Sequence, residues 1–238
     1  MTKALRSGIA QPGETQGQWH GGCTCRCVVT NSGERRYCIR SLADHTDWVR
    51  CVAPSGDGLW LASAGNDQVV RIWNGSAQWQ CSSSLAGHEH VIESVAWAPG
   101  STARGSAAAL PSVPAAETSS VATEMTSPPA PPARSDLLLA TGSRDKTVRV
   151  WHVVTSQQLA SFSHDNWVRC VVWHASAKFI ISASDDRTIR VYDLKAARCL
   201  RTIDEAHSHF VTTIALHATA PILISGGVDT TIKLWPCK

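Results

Sequence analysis

The chain has 238 residues, enough for one large β domain or two smaller domains, and a formal net charge of +3. Charged residues make up 17% of the chain, which is too mild a charge to indicate a nucleic-acid or membrane surface. No apolar run approaches the length of a membrane span and no secretory signal opens the chain, so its nine cysteines are predicted to be reduced thiols.

Residues 1–34 are rich in Gly, Gln, Ser and Thr and contain three cysteines in a C-x-C-x-C run near His20. Zinc sites generally use C-x2-4-C pairs with a second pair downstream, and this run has neither feature. We therefore predict no metal site and assign residues 1–34 as an unstructured or mispredicted N-terminal segment. The stretch RRYCIR at 35–40 resembles the outer strand of a sheet whose other strands are absent.

From residue 41 onward the sequence repeats one pattern four times. In the unit that begins at His164, three short apolar or alternating runs (167–173, 179–181 and 188–192) are separated by polar turns, the last of which is the Asp-bearing turn 184–187. Alternation with a period of two and tight polar turns predicts antiparallel β-structure. We place the units at residues 41–80, 81–157, 158–200 and 201–238.

The four units keep a common register. Three of them span 28 residues from the opening His to the closing aromatic residue, and the second spans 63 because it carries 35 extra residues. The opening histidines of successive units are 43 residues apart in two cases. A period of about 40–45 residues with four strands per unit is typical of a β-propeller blade of the WD type. The predicted fold is therefore all-β, a β-propeller with four WD-type blades.

The extra residues of the second unit lie in the segment 100–136, which is dominated by Ala, Ser, Thr and Pro. Such a segment cannot bury enough apolar surface to order itself. We predict a disordered insertion in the loop between the first and second strands of this unit. The last unit stops after its third strand signal, so it is predicted to lack an outer strand.

Each unit also carries a His, a Ser or Thr, an Asp and an aromatic residue at fixed spacing. The sets are His45, Ser63, Asp67 and Trp73; His88, Thr141, Asp145 and Trp151; His164, Ser182, Asp186 and Tyr192; and His207, Ser225, Asp229 and Trp235. A hydrolase triad needs one exposed nucleophile and an oxyanion hole, so recurrence at one register favours a structural hydrogen-bond network. Tyr192 replaces Trp in the third unit, where its phenol is expected to preserve the donor. We predict no enzyme, no catalytic residue and no cofactor.

A second set of residues lies at one end of each blade. At this end the first strand begins, and the second and third strands are joined by a turn. The residues of this set stand three and five positions after the opening His: Trp48 and Arg50, Val91 and Glu93, Trp167 and Arg169, Phe210 and Thr212. Basic and aromatic residues are concentrated on the first three units, and Trp and Arg are frequent hot-spot residues at protein interfaces. The residues alone leave two alternatives open: a partner-binding face, or tryptophans packed between blades beside solvated arginines.

Several stretches resemble the lissencephaly-1 family, seven-bladed WD-repeat regulators of cytoplasmic dynein. They are HTDWVRCV, GHEHVIESVAWAP, TGSRDKTVRVW, HDNWVRCVVWH and HFVTTIALH, within a resemblance that covers about residues 35–238. The resemblance implies a non-enzymatic scaffold that regulates dynein on microtubules in nuclear migration, mitosis and transport. It implies a cytoplasmic, microtubule-associated location that includes the centrosome. The positions matching the family's contacts with the dynein heavy chain motor domain are Arg50, Arg144, Trp167 and Arg187. Dynein-regulator adaptors are further expected partners, and neither nucleic acid nor membrane is.

The chain also departs from this family. The N-terminal LisH dimerisation motif, the coiled-coil helix and about the first three blades have no counterpart, so we expect four blades of a presumed seven in an incomplete ring with two uncovered flanks. Exposed apolar flanks predict poor solubility. Two alternative functions remain open: a generic WD-repeat adaptor in another assembly, such as ubiquitin ligation or RNA processing, and a noncatalytic acetylhydrolase subunit.

Overall fold

The structure is a computed structural model that describes residue 38 and residues 40–100, 137–217 and 220–237. Within these residues, fifteen strands form four antiparallel sheets, and the all-β prediction with propeller-type blades is confirmed. None of the described residues forms a helix long and apolar enough to cross a membrane.

Each sheet is built from strands that are consecutive in the chain, and we refer to the four sheets as blades 1 to 4. Blade 1 contains β1 (Val49–Pro54), β2 (Trp60–Gly65), β3 (Val69–Asn74) and β4 (Gln80–Ala86). Blade 2 contains β5 (Ile92–Trp97), β6 (Leu138–Ser143), β7 (Thr147–His152) and β8 (Gln157–Ser163). Blade 3 contains β9 (Val168–Trp173), β10 (Phe179–Ser184), β11 (Ile189–Asp193) and β12 (Arg198–Ile203). Blade 4 contains β13 (Val211–Leu216), β14 (Ile222–Gly227) and β15 (Ile232–Pro236), without an outer strand among the described residues.

The unit boundaries placed at residues 80, 157 and 200 each fall at the start of an outer strand or within it. Each of those sheets therefore includes strand residues that the sequence assigned to the following unit. Of the outer strand expected at 35–40, only Cys38 and Arg40 are described, and neither lies in a strand. Residues 1–34 lie outside the described part of the chain, as does the insertion apart from its first residue, Gly100.

The hydrophobic core is divided into three clusters, and each cluster lies between two consecutive blades. In the first, Ile72 of blade 1 and Ile92 of blade 2 are fully buried. The second cluster contains Val150 of blade 2 and Val168 of blade 3. The third contains Ile189 of blade 3 and Val211 of blade 4. A β-sheet that is apolar on both faces can bury both only between two neighbours. Each inner blade is therefore stabilised from both sides.

Two indole groups add polar contacts between consecutive blades. Trp97 Nε1 donates to the carbonyl oxygen of Ala53 at 2.8 Å, and Trp173 Nε1 donates to that of Ala96 at 2.9 Å. Each of these tryptophans is the last residue of the first strand of its blade. Each acceptor is the next-to-last residue of the first strand of the preceding blade. Part of the high tryptophan content therefore serves packing between blades.

Candidate partner-binding face

In blades 1, 2 and 4, the His, Ser or Thr, Asp and Trp identified from spacing form a continuous chain of hydrogen bonds. In blade 2, His88 Nδ1 lies 2.7 Å from Asp145 Oδ2, and His88 Nε2 lies 2.7 Å from Thr141 Oγ1. Trp151 Nε1 completes the chain by donating to Thr141 Oγ1 at 2.9 Å. The same bonds join His45, Ser63, Asp67 and Trp73, and also His207, Ser225, Asp229 and Trp235.

One arrangement of protons satisfies every member of this chain. The indole N–H donates to the hydroxyl oxygen, the hydroxyl donates to His Nε2, and His Nδ1–H donates to the carboxylate. Because the Ser and Thr hydroxyls are buried and occupied by these bonds, they are not available to attack a substrate. The network therefore holds the turn between the second and third strands of each blade against the segment that precedes its first strand.

Blade 3 departs from the expected network at Tyr192. His164 contacts Asp186 at 2.8 Å and Ser182 at 2.6 Å, as in the other blades. The Tyr192 hydroxyl, however, is buried without a hydrogen-bond partner, so the phenol does not replace the indole donor as predicted. Its ring stacks on Phe162 of blade 2 at a centroid distance of 4.3 Å. Burial raises the pKa of Tyr192 to about 12.

The carboxylates of blades 2, 3 and 4 are held in the ionised state. Burial by itself opposes ionisation of Asp145, but the hydrogen bonds from His88 and Thr147 outweigh it and hold the pKa of Asp145 well below its usual value of 3.8. Asp186 and Asp229 have the same balance of causes and the same direction of shift. The folded chain therefore binds fewer protons than the unfolded chain once the pH falls below about 4.

We expect stability to be fully present above about pH 4 and to fall as the pH drops towards the lower pKa values of the folded state. The reason is that these carboxyl groups have a higher pKa in the unfolded chain than in the folded chain, so protons bind to the unfolded chain preferentially and stabilise it. Urea unfolding of the wild-type chain and of Asp145→Asn, measured at pH values from neutral to about 2, checks this expectation. The substitution should reduce the slope of stability against pH; an unchanged slope would show that Asp145 does not contribute to it.

Blade 1 lacks the threonine that follows the turn aspartate by two positions in blades 2 and 3. Thr147 Oγ1 donates to Asp145 and accepts from Arg149 Nε at 3.2 Å. The corresponding residue in blade 1 is Val69, and Arg71 Nε is buried there without a hydrogen-bond partner. A buried donor without a partner costs about 1–3 kcal/mol.

Val69→Thr is therefore expected to raise the free energy of unfolding by about 1 kcal/mol, because the hydroxyl supplies an acceptor for Arg71 and a donor to Asp67. Chemical denaturation of the two chains measures the difference. Val70→Thr is the matched control, since Val70 is fully buried in the apolar cluster between blades 1 and 2 and should lose stability. A loss of stability in Val69→Thr would contradict the assignment.

The end of the blades that carries the turns also carries a cluster of charged and aromatic side chains across blades 2 and 3. The guanidinium of Arg144 stacks over the Trp167 ring at 4.6 Å from its centroid, and Arg169 stacks at 5.1 Å. Arg144 Nε donates to Glu93, and Arg169 makes two hydrogen bonds of 2.8 Å with Asp185. We call these five residues the Trp167 cluster. The ion pairs and stacking fix the orientation of a half-buried tryptophan.

The other two residues of the predicted interface, Arg50 and Arg187, lie at the same end of their blades. Both are exposed, and neither shares a hydrogen bond, an ion pair or a ring contact with the Trp167 cluster in the described part of the chain. Arg50 Nε donates to the neutral side chain of Asn66 at 2.8 Å. Arg187 has a left-handed backbone with φ of 69° in the β10–β11 turn. Their charges are therefore not neutralised by an acidic neighbour, unlike those of Arg144 and Arg169.

Sequence reasoning did not assign Glu93, Arg169 or Asp185 to the binding site. Their spacing placed Glu93 and Arg169 on the correct end of the blades and Asp185 beside the turn. It gave no signal, however, that Arg169 contacts both Asp185 of its own blade and Glu93 of the preceding one, at 3.7 Å. Among the described residues, no three His, Cys, Asp or Glu side chains are grouped as a metal site would require. The C-x-C-x-C run lies outside those residues.

The sequence pattern of the WD domain, G-beta repeat family matches residues 36–74, 131–152, 156–193 and 197–236. The chain is 41% identical over 173 residues to the nuclear distribution protein PAC1 of Ajellomyces capsulatus (strain H143), a match that covers 71% of this chain and 35% of that protein. It is 40% identical over 171 residues to PAC1 of Coccidioides posadasii (strain C735), with 71% of this chain and 33% of that protein covered. It is 37% identical over 169 residues to the nuclear distribution protein nudF of Aspergillus niger (strain ATCC MYA-4892 / CBS 513.88 / FGSC A1513), with 71% and 35% covered.

The chain thus spans about a third of the length of the curated relatives that it matches. These matches agree with the resemblance to the lissencephaly-1 family indicated by the sequence. The four matches together cover more than half of the chain, and in order they contain β1 to β3, β6 and β7, β8 to β11, and β12 to β15. The chain belongs to the WD-repeat family.

Proposed function

We propose that this chain is a non-catalytic protein-interaction scaffold that regulates cytoplasmic dynein on microtubules, in nuclear migration, mitosis and transport. Its similarity to proteins named for nuclear distribution supports this process. The proposed partner is the motor domain of the dynein heavy chain, with dynein-regulator adaptors as further partners. The proposed location is the cytoplasm, on microtubules and at the centrosome.

The single observation that carries this proposal is the Trp167 cluster. A tryptophan whose ring contacts two ion-paired guanidinium groups loses little conformational freedom when a partner covers it, so its contact area contributes fully to affinity. At the same end of their blades, Arg50 and Arg187 carry charges that no acidic side chain among the described residues neutralises. Such a face suits a partner that offers an apolar pocket bordered by carboxylates, because complementary charge speeds encounter and fixes the register.

The same structure supports a scaffold over a hydrolase. The hydroxyls that resemble nucleophiles are buried at the centre of the blades, and the exposed end carries arginine and tryptophan. Binding, and not turnover, is the chemistry that these exposed side chains provide.

The test is the affinity of the full chain for the dynein motor domain. Arg144→Glu combined with Trp167→Ala is expected to cost about 3 kcal/mol, roughly a hundredfold in Kd, because both residues lie in the proposed contact. Equilibrium binding measured with purified motor domain gives the comparison. Unfolding curves for both chains establish that the variant keeps its blades, since Arg144 also pairs with Glu93.

Lys178→Glu is the matched charge reversal, because Lys178 is exposed in the β9–β10 turn at the opposite end of blade 3. It should bind as the wild-type chain does. Unchanged affinity of the double variant would contradict the assigned face. Absence of binding by the wild-type chain, with binding to a ubiquitin-ligase adaptor, would contradict the dynein partner.

A further inference from the structure

Each of the first three blades pairs two side chains at its turn end, one five positions after the opening His and one directly before the turn aspartate. We call these the strand position and the turn position. In blade 1, Arg50 Nε at the strand position donates to Asn66 at the turn position. In blade 3, Arg169 donates to Asp185 through two hydrogen bonds of 2.8 Å. In both blades the cation therefore lies on the first strand and its acceptor lies in the turn.

Blade 2 carries the pair in the opposite order. Its carboxylate, Glu93, occupies the strand position, and its cation, Arg144, occupies the turn position and donates to it. An arginine and a carboxylate can pair in either order, so the contact within blade 2 does not account for the reversal. The contacts that these two side chains make with blade 3 do account for it.

Both members of the reversed pair contact blade 3. Glu93 lies 3.7 Å from Arg169, and the guanidinium of Arg144 stacks over the Trp167 ring. The charges thus alternate in sign across the boundary between the two blades, in the order Arg144, Glu93, Arg169, Asp185. If blade 2 had the order of blade 3, an arginine would face Arg169 and a carboxylate would face the ring. Both contacts would be repulsive, since the face of an aromatic ring carries partial negative charge.

Glu93 links the two guanidinium groups of the Trp167 cluster. Its side chain is 13% exposed, and it contacts Arg144 of its own blade and Arg169 of the next. Both guanidinium groups stack on Trp167. Among the described residues Arg144 forms no other ion pair, so its position over the ring depends on Glu93. Because ion pairs partly removed from water are screened less, one carboxylate can hold both cations against one ring.

We propose that Glu93 is a positioning residue of the partner-binding face: it holds Arg144 and Arg169 against Trp167 and thereby presents the ring to the partner in one orientation. Its effect on affinity rests on the proposed function, whereas the orientation of the ring is a property of the free chain. The two arginines and two carboxylates of the cluster carry no net formal charge. The cluster therefore contributes the contact of the ring, and the arginines outside it contribute charge.

Fluorine NMR of the full chain carrying fluorinated tryptophan tests the orientation without any partner. The Trp167 resonance is identified by its absence from Trp167→Phe. Glu93→Gln keeps the shape of the side chain but removes its charge, so this resonance is expected to shift and broaden. Glu205→Gln is the matched control: Glu205 is exposed and forms no ion pair among the described residues, so the resonance should not move.

The exchange variant Glu93→Arg, Arg144→Glu separates the contacts with blade 3 from the pair within blade 2. It preserves that pair and the net charge of the chain, but it sets a like charge against Arg169 and a carboxylate against the ring. The Trp167 resonance is expected to shift here too, while the chain still unfolds cooperatively in urea. An unmoved resonance in either variant would overturn the proposal, as would an equal shift in Glu205→Gln.

Affinity for the dynein motor domain connects this orientation to binding. Glu93→Gln is expected to raise Kd about tenfold. Charge alone predicts the opposite, because loss of a carboxylate makes the face more positive towards an acidic partner. Tighter or unchanged binding by Glu93→Gln would therefore overturn the positioning role. Absence of binding by the wild-type chain would overturn the proposed function and with it the effect on affinity, whereas the resonance alone decides whether Glu93 orients the ring.

Discussion

Asp145→Ala is expected to lower the free energy of unfolding by about 3 kcal/mol. Asp145 accepts hydrogen bonds from His88 Nδ1 at 2.7 Å, from the Thr147 amide at 2.9 Å and from the Thr147 hydroxyl at 2.6 Å. It also accepts one from the Glu89 amide at 3.2 Å. Alanine leaves the buried His88 ring and the turn without these acceptors, and a buried donor without a partner costs more than the bond itself contributes. Urea unfolding at neutral pH measures the loss.

Asp165→Ala is the matched control for this experiment. Asp165 forms one ion pair with Arg190, but its side chain is 83% exposed. Exposed pairs contribute about 0–1 kcal/mol because water screens them, so the control should remain close to the wild-type chain. Equal losses in the two variants would show that the network in blade 2 does not stabilise the blade.

Gly142→Ala is expected to destabilise the chain by about 2 kcal/mol. A Cβ atom at this position would lie 2.8 Å from Val168 Cγ1 and 3.1 Å from Val171 Cγ1. Both valines are buried in the cluster between blades 2 and 3, and a β-branched side chain cannot change its χ1 rotamer without a further clash. Blades 2 and 3 must therefore move apart. Thermal and urea unfolding of the variant measure the cost.

Gly226→Ala provides the comparison at the same position of blade 4. There the Cβ atom would meet only Thr213 Cγ2, at 3.1 Å, and Thr213 is exposed and free to adjust. Alanine also restricts the unfolded chain, which offsets part of the contact. Stability within about 0.5 kcal/mol of the wild-type chain is expected. A cost as large as that of Gly142→Ala would show that the distance between blades 2 and 3 is not what limits the substitution.

Residues that lie within one unit could be predicted well from the sequence, because a hairpin register fixes them. His164, Ser182 and Asp186 stand at constant offsets, and two adjacent hairpins bring them within hydrogen-bond distance in every blade. The same offsets correctly indicated an all-β chain with four repeating sheets. Tyr192 broke the pattern although its offset was correct: its hydroxyl is buried without a hydrogen-bond partner, and its ring stacks on Phe162 of the neighbouring blade.

The sequence by itself therefore determined the repeat, the strands and the partners within each blade, which depend on backbone register over about thirty residues. Only the tertiary structure decided how the blades meet. It paired Arg169 with Glu93 across 76 positions of the chain, whereas Arg50 and Arg187 pair with no acidic side chain among the described residues. It also left Ile232 exposed where equivalent residues are buried. The physical reason is that burial and ion pairing are properties of the neighbouring sheet, and no local spacing encodes which neighbour a sheet has.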